Sequence, residues 1–140
     1  MENIIIKKLN KNYESDPNIA EPIIRLNDNT LDLSFELNHI IFNFKENQKG
    51  HIKFNSCEAF RVGGPNDEGF YLNDGFWNKK KIGEIEWNCF YEVLNTPLEY
   101  IGEFYKTKNF EVKYKSLKHY VFFMKEATFE CFAESYKEII

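Results

Sequence analysis

The fold class of this chain follows from one short stretch, LDLSFEL at residues 31–37. Apolar side chains occupy every second position of the stretch, and polar side chains fill the positions between them. Because successive side chains of a strand point to opposite sides, this period of two predicts a β-strand with one buried face and one wet face. The run at residues 119–124 is apolar almost throughout and therefore predicts a central strand.

The composition extends the same prediction to the whole chain. Aromatic residues make up 17% of the 140 residues, whereas the best helix former, alanine, occurs only four times. The length suits one domain, so we expect a single domain over residues 1–140. We predict an all-β, antiparallel domain, a β-sandwich or a partly closed barrel, with about nine to eleven short strands and at most one short helix.

Of the other segments, some predict one type of structure and some leave two types open. The polar stretch at residues 10–21 predicts a packed surface loop, and Asn73-Asp74-Gly75 predicts a tight hairpin turn. Residues 98–105 are ambiguous between a helical turn and a strand, and residues 134–140 between a strand and a short helix. Further strand-like runs cover residues 3–8, 23–26, 40–44, 51–62, 70–72, 76–78, 84–94, 110–115 and 128–133.

The run at residues 51–62 contains an irregularity. Its even positions are apolar at both ends and polar in the middle, where Ser56 and Glu58 stand. One explanation is a β-bulge near Asn55-Ser56 that turns Cys57 and Ala59 inward. The other is that Glu58 points into the interior, where an unpaired carboxylate is costly. We favour the bulge, because bulges are common in long curved strands.

The turn at residues 61–71, RVGGPNDEGFY, concentrates glycine, proline and charge between two strand-like runs. Turn geometry explains its glycines and its proline. It does not require Arg61, Asp67 and Glu68, which predict either an ion pair that fixes the loop or a polar recognition surface. With Glu58 upstream, these residues form our candidate binding set: Arg61, Asp67, Glu68 and Glu58.

Catalytic, metal and cofactor motifs are not found in the sequence. The histidines at 39, 51 and 119 are isolated, and no Cys-x-x-Cys or His-Glu-x-x-His pattern occurs. There is no Gly-x-Ser-x-Gly, and Gly63-Gly64 is followed by proline and acids, which would repel a phosphate. We predict no catalytic residue, no metal and no cofactor. The three cysteines, Cys57, Cys89 and Cys131, predict reduced, buried thiols.

The charge balance argues against two classes of partner. The net charge is −4, so the aromatic and basic strip at residues 76–81 is better explained as a hairpin than as a nucleic-acid platform. No apolar run approaches the roughly 18 residues of a membrane span. The first residues lack the pattern of a signal peptide. We therefore expect a cytoplasmic protein that binds neither nucleic acid nor membrane.

One resemblance rests on the central turn and two strands. The run at residues 55–71, which includes the pattern R-x-G-x-x-N-D-E-G, resembles a group of small bacterial proteins of uncharacterised function. FYEV at residues 90–93 and TFEC at residues 128–131 belong to the same pattern. Together they cover under a third of the chain. The resemblance implies a bacterial source and carries no activity with it.

These observations favour a binding protein over an enzyme. The leading hypothesis is a non-enzymatic protein with an acidic surface that meets a protein partner, most concretely a bacterial immunity protein that neutralises a toxin. One alternative is a β-barrel that holds a small apolar ligand. A second alternative is a small enzyme that uses Glu58 and Asp67, with Arg61 as the anion holder. The sequence leaves the oligomeric state open.

Overall fold

The computed structural model describes residues 3–63, 70–71, 76–105 and 117–140, and of residues 102–105 only the backbone. In these residues the chain forms nine strands and two short helices. They are β1 (Ile6–Lys8), β2 (Ile23–Asn27), β3 (Thr30–Glu36), β4 (Lys49–Asn55), β5 (Ala59–Gly63), α1 (Lys79–Ile82), β6 (Cys89–Val93), α2 (Leu98–Tyr105), β7 (Lys118–Phe123), β8 (Thr128–Ala133) and β9 (Ser135–Ile139).

The strands form two antiparallel sheets. The five-stranded sheet has the order β1-β6-β7-β8-β5, and the four-stranded sheet has the order β2-β3-β4-β9. The strands predicted at residues 31–37 and 119–124 are confirmed: β3 buries its apolar face, and β7 lies in the centre of the larger sheet. The chain is all-β, and its two open sheets correspond to the sandwich alternative.

Aromatic side chains hold the two sheets together. Phe54 of β4 lies 5.8 Å from Phe90 of β6 and 5.5 Å from Phe129 of β8, measured between ring centroids. Phe35 of β3 meets Phe122 of β7 edge to face at 4.9 Å. Each fully buried aromatic ring of this kind contributes on the order of 2 to 3 kcal/mol. The interface between the sheets is therefore the main core.

A second apolar cluster covers the outer face of the five-stranded sheet. Trp77 packs on Phe123 at 5.6 Å, and Phe76 stacks on Tyr100 of α2 at 3.8 Å. Asn78 begins α1, because its side chain accepts a hydrogen bond from the Lys81 backbone N–H at 3.0 Å. Residues 76–87, which precede β6, and α2, which follows it, thus form a third layer over the central strands of this face.

The outer face of the four-stranded sheet has no such layer in the part of the chain that the structure describes. Its side chains are mostly charged or polar, and many are exposed to solvent. The two sheets therefore differ in their surroundings: the larger one is covered on both faces, and the smaller one on its inner face only.

The irregular run at residues 51–62 is two strands in different sheets. β4 ends at Asn55, Ser56 adopts a left-handed φ of 52°, and β5 begins at Ala59 in the other sheet. The predicted irregularity lies where we placed it, but it is a crossover between sheets and not a bulge within one strand. Glu58 is exposed, so the alternative that it points into the core is wrong.

Other strand predictions were wrong for local reasons. Residues 40–44 form no strand, because the Asn38 side chain accepts hydrogen bonds from the backbone N–H groups of Ile40 and Ile41 in a turn. Ile40 and Ile41 are 68% and 66% exposed. The run at residues 84–94 is a strand only from Cys89, since Asn88 is left-handed with φ of 66°.

The helix prediction was low by one, since α1 was not expected. Residues 70–71 are helical and residues 76–78 form no strand, so the described parts of the two predicted hairpin arms are not strands. The turn at residues 73–75 and the predicted strand at residues 110–115 lie outside the described residues. The tail is a strand, β9, and residues 98–105 are the helix α2. Neither described helix has the length and apolarity that crossing a bilayer would require.

Candidate functional site

Two of the four candidate binding residues can be placed. Arg61 lies on β5 and Glu58 just before it, whereas Asp67 and Glu68 lie outside the described residues. The predicted pairing of Arg61 with Asp67 or Glu68 therefore stays a prediction. Arg61 does bind a carboxylate, that of Glu130 on β8, at 2.8 Å. The partner that sequence analysis missed is thus on the neighbouring strand.

Glu130 is the centre of a buried polar cluster, which we call the Glu130 network: Glu130, Arg61, Trp77, Tyr100, His119 and Thr96. The carboxylate is 1% exposed, and it sits opposite Arg61 in the β5–β8 register. Its Oε2 accepts hydrogen bonds from Arg61 Nη2 at 2.8 Å and from Trp77 Nε1 at 2.9 Å. The Tyr100 hydroxyl donates to the same carboxylate at 2.7 to 2.8 Å and also contacts Arg61.

His119 extends the network away from the carboxylate. Its Nε2 lies 3.0 Å from Glu130 Oε1, and its Nδ1 lies 2.7 Å from the Thr96 hydroxyl oxygen. Because an ionised carboxylate only accepts hydrogen bonds, Nε2 carries the proton and Nδ1 accepts from Thr96. The ring is stacked on Phe132 at 4.3 Å. Every polar atom of the imidazole is therefore satisfied inside the protein.

The burial of these groups shifts their protonation equilibria. Burial lowers the pKa of His119, and the Glu130 carboxylate opposes this shift only in part. Burial alone would raise the pKa of Glu130, but the hydrogen bonds that it accepts from His119, Arg61 and Trp77 outweigh burial and hold that pKa below its usual range. At neutral pH the network thus contains a charged Glu130 and a neutral His119.

The chemistry open to the network is limited by its burial. Thr96, His119 and Glu130 form a hydroxyl–imidazole–carboxylate chain, the connectivity that activates a nucleophile in hydrolases. All three side chains belong to buried residues, however, and His119 stacks against Phe132. Arg61 alone reaches water substantially, with 49% of its side chain exposed. The arrangement is that of a structural network whose buried members are hydrogen-bonded to one another and whose Arg61 extends to the surface.

The sequence contained a signal for the burial of Glu130. The nearly continuous apolar run of β7 implied a strand with both faces covered, and β8 follows it directly through a short turn. A neighbour in the middle of the same sheet has to be covered on both faces too. Glu130 alternates with Phe129 and Cys131, and it was not singled out, because alternation alone does not reveal a third layer.

Glu58 belongs to a different place, an exposed group of carboxylates that we call the acidic end: Asp28, Glu58 and Glu134. Three backbone hydrogen bonds bring these residues to one end of the sandwich. Cys57 N–H donates to Asn29 C=O at 2.8 Å, Glu58 N–H to Phe132 C=O at 2.9 Å, and Glu134 N–H to Asn55 C=O at 3.0 Å. The two chain crossovers and the β2–β3 turn thus present like charges on a fixed backbone.

The strand that starts at the acidic end has exposed apolar side chains. β5 pairs with β8 and with no other strand in the described part of the chain. Phe60 and Val62 are each 40% exposed. Apolar side chains on a strand at the edge of a sheet are a frequent feature of binding surfaces, because backbone and side chains can both contact a partner. The acidic end therefore continues into a partly apolar strip.

The cysteines carry no disulfide, as predicted. Cys89 and Cys131 are buried and Cys57 is half-buried. A hydrogen bond with the Cys131 thiol lowers the pKa of Cys57, and burial raises the pKa of Cys131. Within the described residues, no three His, Cys, Asp or Glu side chains are grouped as a metal site would need.

Comparison with known proteins adds no relative: the chain matches no protein-family model, no curated protein and no solved structure. The resemblance of residues 55–71 to a group of small bacterial proteins therefore stays a prediction.

Proposed function

We propose that this chain is a non-enzymatic binding protein that captures a basic protein partner through its acidic end and the adjoining strand β5. The concrete form of the proposal is an immunity protein that neutralises a basic toxin. The observation that carries it is the convergence of Asp28, Glu58 and Glu134 where the two sheet crossovers meet the β2–β3 turn.

Charge and rigidity support this role together. Three carboxylates on a hydrogen-bonded backbone attract a basic surface over about a Debye length, which raises the rate of association. The crossover segments do not have to order themselves on binding, which limits the entropic cost. A steered and preorganised surface suits a protein whose task is fast capture.

Phe60 and Val62 add apolar area, which contributes affinity that exposed charges alone do not provide. Exposed charge pairs contribute little net affinity, whereas apolar side chains that a partner covers contribute in proportion to the area buried. Both side chains lie on β5, which begins one residue after Glu58. The proposed contact thus has an apolar strip bordered by carboxylates, the common arrangement of a transient interface.

The experiment is a capture followed by a measurement. The tagged chain is used to retrieve proteins from an extract of its host, and each retained protein is purified and titrated calorimetrically against three forms: the unchanged chain, Glu58→Lys with Glu134→Lys, and Glu46→Lys with Glu126→Lys. All four glutamates are exposed, and the second pair lies away from the acidic end.

We expect a basic protein whose affinity falls at least about tenfold, or 1.4 kcal/mol, with the first pair and stays within about twofold with the second. For the immunity form, expression of the unchanged chain should also restore growth to cells that produce the partner. Equal binding of the unchanged chain and both variants by every retained protein would refute the proposal.

The two other hypotheses have less support. A small apolar ligand would need space between the sheets, where the ring of Phe54 packs against those of Phe90 and Phe129. The enzyme hypothesis uses Glu58 and Asp67 as acids and Arg61 as the anion holder. Arg61 is already bound to the Glu130 carboxylate at 2.8 Å, Glu58 is exposed, and Asp67 lies outside the described residues.

A further inference from the structure

The outer face of the four-stranded sheet carries its charges in an ordered row. The register places Arg25, Asp32, Lys53 and Lys137 side by side on β2, β3, β4 and β9. Lys49 lies on the same face of β4, opposite Glu36. We call the four cations Arg25, Lys49, Lys53 and Lys137 the basic face. It is a positive surface on a chain whose net charge is −4.

The anions on this face do not balance the cations. Asp32 is hydrogen-bonded to His51 Nδ1 at 3.2 Å. With Asp32 and Glu36 counted against the four cations, the face keeps an excess of positive charge. Arg25, Lys49, Lys53 and Lys137 are all exposed. The face therefore attracts an anionic surface.

The basic face lies close to the acidic end, and one row of neutral residues separates the two. Asn27, Thr30, Asn55 and Ser135 form that row, as the strand register shows. Beyond it lie Asp28, Glu58 and Glu134. Asp28 lies three residues from Arg25 and Glu134 three residues from Lys137, a span of at most about 10 Å, whereas Glu58 follows Lys53 by five residues through the left-handed Ser56. Positive charge, neutral amide and hydroxyl groups, and negative charge thus follow one another along the strands.

We propose that a second copy of this chain docks on the basic face as an isologous dimer, with the acidic end of each protomer against the basic face of the other. A two-fold axis along the neutral row exchanges the two sides of that row, so each basic face meets the acidic end of the partner once and the same contact occurs twice in one interface. The neutral row then lies at the centre, where its amides and hydroxyls hydrogen-bond across the axis.

The observations favour a second copy over a nucleic acid. The outward positions of β2, β3, β4 and β9 hold no Phe, Tyr or Trp, and their one aromatic ring, the imidazole of His51, is hydrogen-bonded to Asp32. Ile23 and Ile139 are 39% and 41% exposed on the same face, and a phosphate backbone gives them nothing to contact. A folded protein surface with a matching acidic end contacts both the cations and the isoleucines.

The interface has a polar centre, so the dimer is weak and sensitive to salt. Exposed ion pairs are screened by electrolyte, and interfaces rich in them dissociate as the Debye length shortens. The acidic end also serves the proposed capture of a basic partner, so dimerisation and capture compete. The dimer does not depend on that function, because it involves the purified chain alone.

The first test is sedimentation equilibrium of the full chain at about 20 mM and about 500 mM salt, which span the 10 Å Debye length of 0.1 M electrolyte. We expect a dimer at low salt and a dissociation constant at least about tenfold larger at high salt. A chain that is monomeric at low salt up to about 1 mM protein overturns the proposal, since this exceeds the range of specific weak dimers.

The second test is a charge-reversal pair. The face-reversed variant carries Lys53→Glu and Lys137→Glu, and the end-reversed variant carries Glu58→Lys and Glu134→Lys. Each variant alone opposes like charges, so its dissociation constant rises at least about tenfold. A mixture of the two restores opposite charges at both contacts, so a one-to-one heterodimer forms with an affinity close to that of the unchanged chain.

The control is Lys11→Glu with Lys125→Glu, which alters net charge as the face-reversed variant does but at exposed positions outside both patches. We expect its dimerisation to stay within about threefold of the unchanged chain, as a small net-charge effect allows. Circular dichroism and thermal unfolding confirm that all variants fold. The proposal fails if the folded variants do not form a heterodimer, if either reversed variant dimerises normally, or if the control loses as much affinity.

Discussion

The two sheets of this protein meet in one core but have opposite outer faces. The larger sheet is covered by a third layer, and Glu130 beneath it accepts hydrogen bonds from four donors, two from this layer and two from neighbouring strands, whereas the smaller sheet exposes a row of cations to water. Each sheet has a strand with a carboxylate between apolar neighbours, Asp32 on β3 of the smaller sheet and Glu130 on β8 of the larger one. A charge in such a position is therefore buried or solvated according to what packs on the sheet. Its contribution to the free energy of unfolding is large where it is buried and small where it is solvated.

The largest effect is expected at the centre of the covered face. Glu130→Ala leaves Arg61, Trp77, Tyr100 and His119 without their common acceptor, so we expect a loss of about 3 to 5 kcal/mol in the free energy of unfolding. Urea denaturation measures it. Glu126→Ala, on the exposed β7–β8 turn, should change stability by less than about 0.5 kcal/mol. Similar values for the two variants would mean that the network is not a structural centre.

The chain has two arginines, one on the outer face of each sheet, and they form a matched pair. Arg61→Met removes one of four donors to Glu130. Because half of the Arg61 side chain is exposed and three donors remain, we expect a loss of only about 1 to 2 kcal/mol. Arg25→Met should fall within about 0.5 kcal/mol of the unchanged chain. Equal losses in urea denaturation would contradict the difference between the faces.

The covered face should also make stability depend on pH through His119. Its folded-state pKa lies below the unfolded value of about 6.5, so the unfolded chain binds the proton first as the pH falls. The contribution is full above about pH 6.5 and is lost below it, with a slope of up to about 1.4 kcal/mol per pH unit. The depressed pKa of Glu130 acts in the same direction, but only below about pH 4.5.

His119→Gln separates these effects, because an amide can hydrogen-bond to Thr96 and Glu130 and does not titrate. We expect a less stable protein whose free energy of unfolding falls more gently between about pH 6.5 and pH 5. Denaturation midpoints across this range measure the slope. Parallel curves for the variant and the unchanged chain would show that His119 is not held neutral by the fold.

The smallest effect on stability is expected on the basic face of the smaller sheet. Lys53→Glu places an acid beside Asp32 and Lys137, all on a solvated surface, so stability should change by less than about 0.5 kcal/mol. Thermal unfolding of dilute protein at about 500 mM salt measures this, because electrolyte screens the surface charges. A loss above about 1.5 kcal/mol would indicate that this face is packed against something in the monomer.

The strand pattern of the fold was largely predictable. Alternation identified β3, and the apolar run identified β7 as central, because burial of one or both faces leaves a direct imprint on the residues of a strand. Local hydrogen bonds then caused the errors. Asn38 folds the alternating residues 40–44 into a turn, and Asn78 caps a helical turn where a hairpin arm was expected.

The candidate site was predictable only in part. Arg61 was singled out because turn geometry did not require it, and Glu58 because its facing was unclear. The carboxylate that Arg61 binds is 69 residues away in sequence, on a strand that pairs with β5. No local pattern specifies such a pairing, since cross-strand partners are set by the order of strands in a sheet.

The sequence by itself therefore determined the class of the fold, its strongest strands, its free thiols and its overall negative charge, all of which depend on composition or on neighbours along the chain. The tertiary structure alone decided which charges are buried, which partners they have, and how acidic and basic residues are grouped on the surface. The physical reason is that the alternation along a strand indicates only which side chains share a face of the sheet. Whether water, a third layer or a second protomer lies on that side depends on distant parts of the chain.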